Sequence, residues 1–357
     1  MPKNIAILFD GTWNKPDKDP ERNGDTNTNV YRLHDAIAPT DLSGTPQHKW
    51  YEAGVGSDWY DKIQGGMFGT GLSKKIMDGY RELVRHYEPG DRVYIFGFSR
   101  GAYSARSLAG MIRNVGLLRS ENCGDDDMIG RAYSLYRMRD EGPDSPAALN
   151  FRVSFSREIE IECVGVWDTV GELGVPLQSF DNFNDEFYKF HDTRVSKIIK
   201  HAYHALAIDE HRQNFQPTMW DTDVATDQVL EQVWFSGAHA NIGGGYNNDC
   251  LAAITLRWMA DKAAGCGLCV DSDKINSFAP PKKAIKDAAV DSYSEFCDGL
   301  YRWLTRRHYR TLGQAAENME FLDKSVEEFL KDEKYFPQNK VDPHLRNFSN
   351  PKGNRLK

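Results

Sequence analysis

The chain has 357 residues and a formal net charge of -8 at pH 7, with 40% hydrophobic and 27% charged residues. That length suffices for one large α/β domain with an appendage, and the acidic balance argues against nucleic acid or an anionic membrane as a partner bound through the global field. No run of 18 apolar residues offers a bilayer span, and six cysteines in a chain of this size are not a disulfide framework.

The N-terminal stretch MPKNIAILFDGTWN lacks the small-residue cleavage site of a signal peptide, so cytoplasmic synthesis is expected, with signal-independent secretion left open. IAILF (5–9) reads as a short buried strand ending at Asp10, and the polar run 17–27 reads as a loop. A helix is expected from Thr28 to before Pro39. The glycine-rich stretch 51–71 reads as a mobile loop that could cover a pocket, and 72–86 as an amphipathic helix. A strand over 92–96 follows, then a helix ending near Gly116. The charged segment 120–148 reads as a lid or an insertion. Residues 160–168 read as a strand, 197–212 as a helix, 227–237 as a strand and 249–263 as a helix. Strands separated by helices predict an α/β, mostly parallel sheet with helices on both faces.

One stretch carries chemistry. In RVYIFGFSRGAYSAR (92–106), Ser99 sits between Gly97 and Gly101 where a strand runs into a helix. A strand-to-helix elbow of the GxSxG type is too tight for bulky neighbours, and it projects the serine hydroxyl from the sheet edge. The following helix aims its N–H groups at the same point, which makes the Arg100 N–H the first candidate for an oxyanion donor.

A serine nucleophile needs a base and an orienting acid. Among ten histidines, His239 follows a predicted strand and leads into Gly243-Gly244-Gly245, a loop at the edge where α/β sheets carry their sites. Asp168 ends another strand at the same edge. The order Ser99, Asp168, His239 is that of α/β-hydrolases. Asp209 is a rival acid in a predicted helix. Gly11 and Thr12, after the first strand, are candidates for a second oxyanion donor, with Asp10 bracing that loop or acting in the site. No ligand series with fixed spacing supports a metal, and no cofactor is expected. The Cys266–Cys269 pair and Cys250 lack the partners of a zinc site.

The stretches LFDGTWN, GFSRGAYSARSLAGMIRNVGLL, VGVWDTVGELG, HALAIDEHRQNFQPTMW and QVWFSGAHANIGGGY occur in one order across most of residues 5–260. On them the chain resembles the DUF2235 family of α/β-hydrolase proteins, which includes the Tle1-group phospholipase effectors of type VI secretion. The resemblance implies a serine hydrolase core with Ser99 as nucleophile, and His239 matches the histidine before the family's GGGY stretch. The family pattern carries aspartate at the position of Asn241.

The expected organisation is a catalytic domain over 1–264, a helical extension over 265–336 packed on the core, and an irregular tail over 337–357. The segment 295–310, with Phe296, Tyr301, Trp303 and two adjacent arginines, reads either as a helix packed on that core or as a transient membrane contact. Three functions stay open: a phospholipase-like hydrolase acting on ester or lipid substrates, a soluble carboxylesterase, and a non-enzymatic interaction module on the same fold.

Overall fold

The computed structural model describes residues 2–11, 26–54, 68–122, 126–138, 140–170, 194–247, 250–278, 290–295, 306–314, 319–331, 335, 337–342 and 345. Thr12, most of the glycine-rich stretch 51–71, and Phe296, Tyr301 and Trp303 of the proposed membrane segment lie outside the described residues.

Three strands open the sheet: β1 (Asn4–Phe9), β2 (Gln47–Glu52) and β3 (Arg92–Phe98). β6 (Ile161–Trp167), β7 (Ile199–Ala207), β8 (Val229–Phe235) and β10 (Glu320–Leu322) complete it. The order is β10-β8-β7-β6-β3-β1-β2, and every neighbouring pair is parallel. A minor antiparallel pair joins β4 (Leu117–Leu118) to β5 (Ser156–Arg157), and β9 (Thr311–Leu312) pairs with β11 (Lys340–Val341).

Alternation along β1 shows why both faces are covered. Ile5, Ile7 and Phe9 enter one apolar cluster with Tyr80, Leu83, Ala105, Leu108 and Ile112. Those partners come from α2 (Phe68–His86) and α3 (Arg100–Val115). Ala6 and Leu8 enter the opposite cluster with Val30, Leu33, Leu256 and Met259. There the covering helices are α1 (Asn29–Ala36) and α7 (Cys250–Gly265), whereas α6 (His239–Gly243) is a single turn after β8. Side chains of successive strand residues point to opposite faces, so a fully apolar run such as IAILF serves two helical layers at once. This is an α/β-hydrolase-like architecture.

Three expectations change. Residues 199–207 form β7, not a helix. Helix-favouring Ala, Leu and Lys yield to hydrogen bonding between β6 and β8, and burial on both faces removes the polar alternation that marks a strand. The charged segment 120–148 carries α4 (Asp126–Arg137) and the start of α5 (Pro146–Phe155); α4 buries Ile129 and Ala132 in the core beside α2 and α3. The stretch expected to be a helical extension contributes β9 and β10 as well as α8 (Lys324–Leu330). Its Leu312, Val326 and Leu330 pack on Leu206, Ile208 and Trp234. Glu320 accepts a 2.6 Å hydrogen bond from Trp234 Nε1, and Asn339 Nδ2 donates to Ile208 O at 3.0 Å. Among the described residues, no helix is long and apolar enough to cross a membrane.

The chain leaves β1 toward β2 on one side and returns as β3 on the other. The carboxyl ends of β1 and β3 therefore flank a reversal of strand order, the position where open α/β sheets leave a crevice.

Candidate active site

Ser99 follows β3 at that crevice. Its φ of 57° and ψ of -122° put a non-glycine residue in the left-handed half of the map, a strained conformation that persists only when its surroundings over-determine it. The flanking glycines follow from close approach. A Cβ at Gly97 would lie 2.4 Å from Gly101 O, and one at Gly101 would lie 2.2 Å from Phe9 O. Both contacts are with backbone, which cannot give way as a side chain tip can. Ser99 N donates to Trp167 O at 3.0 Å, tying the elbow to the end of β6.

The structure brings together the three residues in Ser-Asp-His order. His239 Nε2 lies 2.8 Å from Ser99 Oγ, and His239 Nδ1 lies 2.6 Å from Asp168 Oδ2. The imidazole is buried between Phe98 and Phe215, whose ring centroids stand 4.7 and 5.2 Å away. Burial lowers the pKa of His239, opposed by the hydrogen bond and charge of Asp168; Arg212 adds to the lowering and Glu210 opposes it. The ring is thus held in the neutral form that can accept a proton.

Asp168 also adopts positive φ, 38°. Its carboxylate is fully buried and accepts from Ala207 N at 3.1 Å. Arg310 grips it with both ends of the guanidinium: Nη1 to Oδ1 at 2.7 Å and Nη2 to Oδ2 at 3.0 Å. Burial alone would raise the Asp168 pKa. The Arg310 charge, followed by the His239 hydrogen bond, outweighs it and holds the carboxyl well below its ordinary range. Arg310 is itself 1% exposed and donates to the carbonyls of Ala207 and Phe215.

A second buried ion pair stands behind α6. Arg212 donates to both oxygens of Glu210 at 2.8 Å. Glu210 in turn accepts from His239 N at 3.2 Å and from the Ser292 hydroxyl at 3.0 Å. Burial pushes the Glu210 pKa up, but Arg212 brings it down to about 2, so a fixed negative charge braces the backbone of the histidine. Sequence reasoning missed Arg310, Glu210 and Arg212. Recognising 199–207 as a strand would have put Glu210 and Arg212 at the sheet edge, but no local signal marks Arg310.

The remaining candidates separate. Asp209 does not contact the histidine ring; its Oδ2 accepts from Gly237 N at 2.7 Å and Tyr335 Oη at 2.9 Å. It lines an open cleft of about 260 Å³ with His211, Asp291, Arg307, Tyr309 and Tyr335, a lining that does not include Ser99, Asp168 or His239. Asp10 accepts from Gly11 N at 2.6 Å, Thr28 Oγ1 at 2.7 Å and Tyr51 Oη at 2.5 Å. Burial pushes its pKa up to about 6 against those hydrogen bonds, which tie the end of β1 to Thr28 at the start of α1 and to Tyr51 on β2. The Gly11 N–H is therefore already engaged, which corrects the reading of Gly11 as an open oxyanion donor. The Arg100 N–H belongs to the first turn of α3, where no intrahelical acceptor exists.

The glycine run after His239 also has a geometric reason. A Cβ at Gly243 would lie 2.1 Å from the Phe98 ring, while Gly244, at φ 82°, bridges to Thr28. Asn241 Oδ1 accepts from Ala238 N at 3.2 Å and Val290 N at 3.3 Å, a helix-capping role that needs an acceptor and no charge. Cys266 is buried near Tyr203, with a 3.9 Å contact from Sγ to the phenol oxygen, and Cys269 N donates to Gln47.

Comparison with known proteins adds the following. The family described as "T6SS, Phospholipase effector Tle1-like, catalytic domain" matches residues 3–262. The Saccharomyces cerevisiae protein YEL023C is 33% identical over 238 residues, covering 60% of this chain and 32% of the yeast protein. The chain thus spans about a third of that relative's length. A crystal structure of a Pseudomonas aeruginosa protein is similar at 18% identity and a TM-score of 0.48, covering 80% of this chain and 50% of that one. The Tle1 effector bound to the VgrG spike of the type 6 secretion system is similar at 22% identity and a TM-score of 0.40, covering 69% and 52%.

Proposed function

From a chain that belongs to the family of Tle1-like phospholipase effector catalytic domains, we propose a serine ester hydrolase acting on lipid carboxylic esters. The observation that carries the reading is the continuous hydrogen-bonded path Ser99–His239–Asp168 behind a strained elbow.

In the proposed reaction His239 Nε2 takes the Ser99 proton as Oγ forms a bond to the ester carbonyl carbon. Asp168 holds the ring through Nδ1–H and stabilises the imidazolium. The Arg100 N–H donates to the oxyanion, with Thr12 a candidate second donor. Collapse breaks the bond to the leaving alkoxide, which receives the proton from His239. Water then attacks the acyl carbon as His239 takes its proton, and collapse breaks the bond to Ser99 Oγ, which receives that proton from His239 as the acid leaves. Arg310 acts through Asp168 as a positioning residue. Residues 1–264 would form the catalytic unit, with the segment after them completing it through that guanidinium.

Lipid as the substrate class, and delivery through a type VI secretion apparatus, are part of this proposal and are supported by the family description. The test is a hydrolysis panel of dispersed phosphatidylcholine and a dissolved short-chain nitrophenyl ester, with wild type and Ser99→Ala. Fatty acid release from phosphatidylcholine that is lost in Ser99→Ala is the expected result. Turnover of the short ester alone would make the protein a soluble carboxylesterase. No turnover of either by folded protein would favour an interaction module.

A further inference from the structure

We propose that His48, Glu82 and His86 form a binding site for a divalent transition metal of the zinc type, at the sheet edge opposite Ser99. His48 is the second residue of β2, in register with Ile5 of β1, and His86 is the last residue of α2. Both therefore lie at the amino ends of the strands, whereas Ser99, Asp168 and His239 follow carboxyl ends. The site is separate from the ester-hydrolase centre and does not rest on that reading.

The geometry is that of three donors converging on one point. Glu82 and His86 stand four apart on α2, which puts them on one helix face. His48 Nε2 lies 2.9 Å from Glu82 Oε1, and His86 Nδ1 lies 3.3 Å from the same oxygen. One donor atom from each of the three residues lies within 4.8 Å of the others. Tetrahedral Zn²⁺ with bonds of about 2.0–2.1 Å separates its ligand atoms by roughly 3.3 Å. Small side-chain adjustments would thus seat an ion without moving backbone.

The chemistry fits as well. Two imidazoles and a carboxylate are a zinc ligand set that leaves the fourth position to water. The His48 and His86 rings stack at 4.1 Å with an interplanar angle of 17°. Both rings aim a nitrogen at the same Glu82 oxygen, and a cation seated among the three would take the place of the protons donated to that oxygen. His86 Nδ1 also lies 3.1 Å from Glu82 O, so ligation through Nδ1 exchanges that contact, whereas a ring turn that presents Nε2 keeps a donor for the carbonyl. The side chains are 30%, 14% and 40% exposed for His48, Glu82 and His86, which gives an ion a route in.

A bound ion would clamp β2, the edge strand, to α2. Sequence reading saw no ligand series, because His48 stands 34 residues from Glu82.

The test uses the tag-free, chelator-treated full chain. Zn²⁺ is titrated calorimetrically at pH 7.5, and Co²⁺ is added as a spectroscopic probe. The expected result is one Zn²⁺ per chain with Kd at or below about 1 µM, visible bands of four-coordinate Co²⁺, and a higher Tm with Zn²⁺. Both His48→Gln and His86→Gln should lose about 100-fold in affinity and the Co²⁺ bands. Glu82→Gln should weaken binding too, with circular dichroism confirming that each variant folds. His201→Gln, at a histidine 4.0 Å from Glu162 elsewhere on the surface, should bind like wild type. Absent Co²⁺ bands, or Zn²⁺ affinity unchanged in His48→Gln and His86→Gln, would overturn the proposal and leave the cluster as a carboxylate-bridged histidine pair.

Discussion

The Ser99 elbow and the Arg310 grip meet at the same three-residue array, but they are built in opposite ways. The elbow is made from five contiguous residues whose backbone approaches β1 and whose glycines are set by two close contacts. The grip joins residues 142 apart, and Arg310 arrives from a segment beyond the 3–262 family match. A local steric demand leaves a sequence signature, whereas a long-range charge compensation leaves none. In the proposed hydrolase the difference also divides the labour: one end would present the nucleophile in a strained pose, and the other would set the charge behind the base.

The largest expected effect lies where the two regions join. Asp168→Asn leaves Arg310 buried without its anion and lets His239 adopt the wrong tautomer. We expect kcat to fall by about 10⁴-fold and stability to fall by about 3–5 kcal/mol, read by ester kinetics and urea unfolding. Equal loss of kcat and stability in Asp168→Glu would show that position matters as much as charge.

Breaking the elbow from its own side is the next test. Gly101→Ala places a methyl 2.2 Å from Phe9 O and 2.6 Å from Asp10 O. It should lower stability by about 3 kcal/mol in urea and displace Ser99 enough to remove activity in the protein that still folds. Wild-type stability would show that the close approach relaxes readily.

Arg310 sharpens the comparison through pH. In the proposed reaction His239 must be neutral to accept the serine proton, and burial holds its pKa below the ordinary 6.5, so kcat/KM should fall as pH drops through a value under 6.5. In Arg310→Met the uncompensated Asp168 charge favours the imidazolium, with Glu210 acting in the same sense and Arg212 opposing it. The acid limb should move to higher pH by about one unit, and Arg310→Lys should move it less. An unmoved limb with lowered Tm would make Arg310 a structural residue alone. The sign for stability is the reverse: Asp168 has a depressed folded pKa, so its contribution is present above about pH 4 and is lost as pH falls below it.

The smallest effect belongs to Asp209→Asn. Its carboxylate braces Gly237 and Tyr335 away from the imidazole, so kcat/KM should change by less than about 10-fold, with stability lower by about 1 kcal/mol. A loss as large as that of Asp168→Asn would reassign the acid.

These expectations show where sequence reading reached. The strands around Ser99 and Asp168 were legible because buried apolar runs end at glycine-marked turns. β7 was misread because a central strand has no polar face, and its Ala-rich, Lys-containing stretch resembles a helix. That error hid Glu210 and Arg212 in a supposed helix. β10 was missed as well, since three residues carry no period and its place is set by pairing with β8 and by the Trp234–Glu320 hydrogen bond.

The most direct measurement is covalent labelling with a fluorophosphonate probe, read by intact mass and peptide mapping on wild type and Ser99→Ala. One adduct per wild-type chain, mapped to Ser99, and none on the variant is the expected result. Labelling at another residue, or none on folded wild type with or without detergent and lipid, would contradict an activated serine at the end of β3.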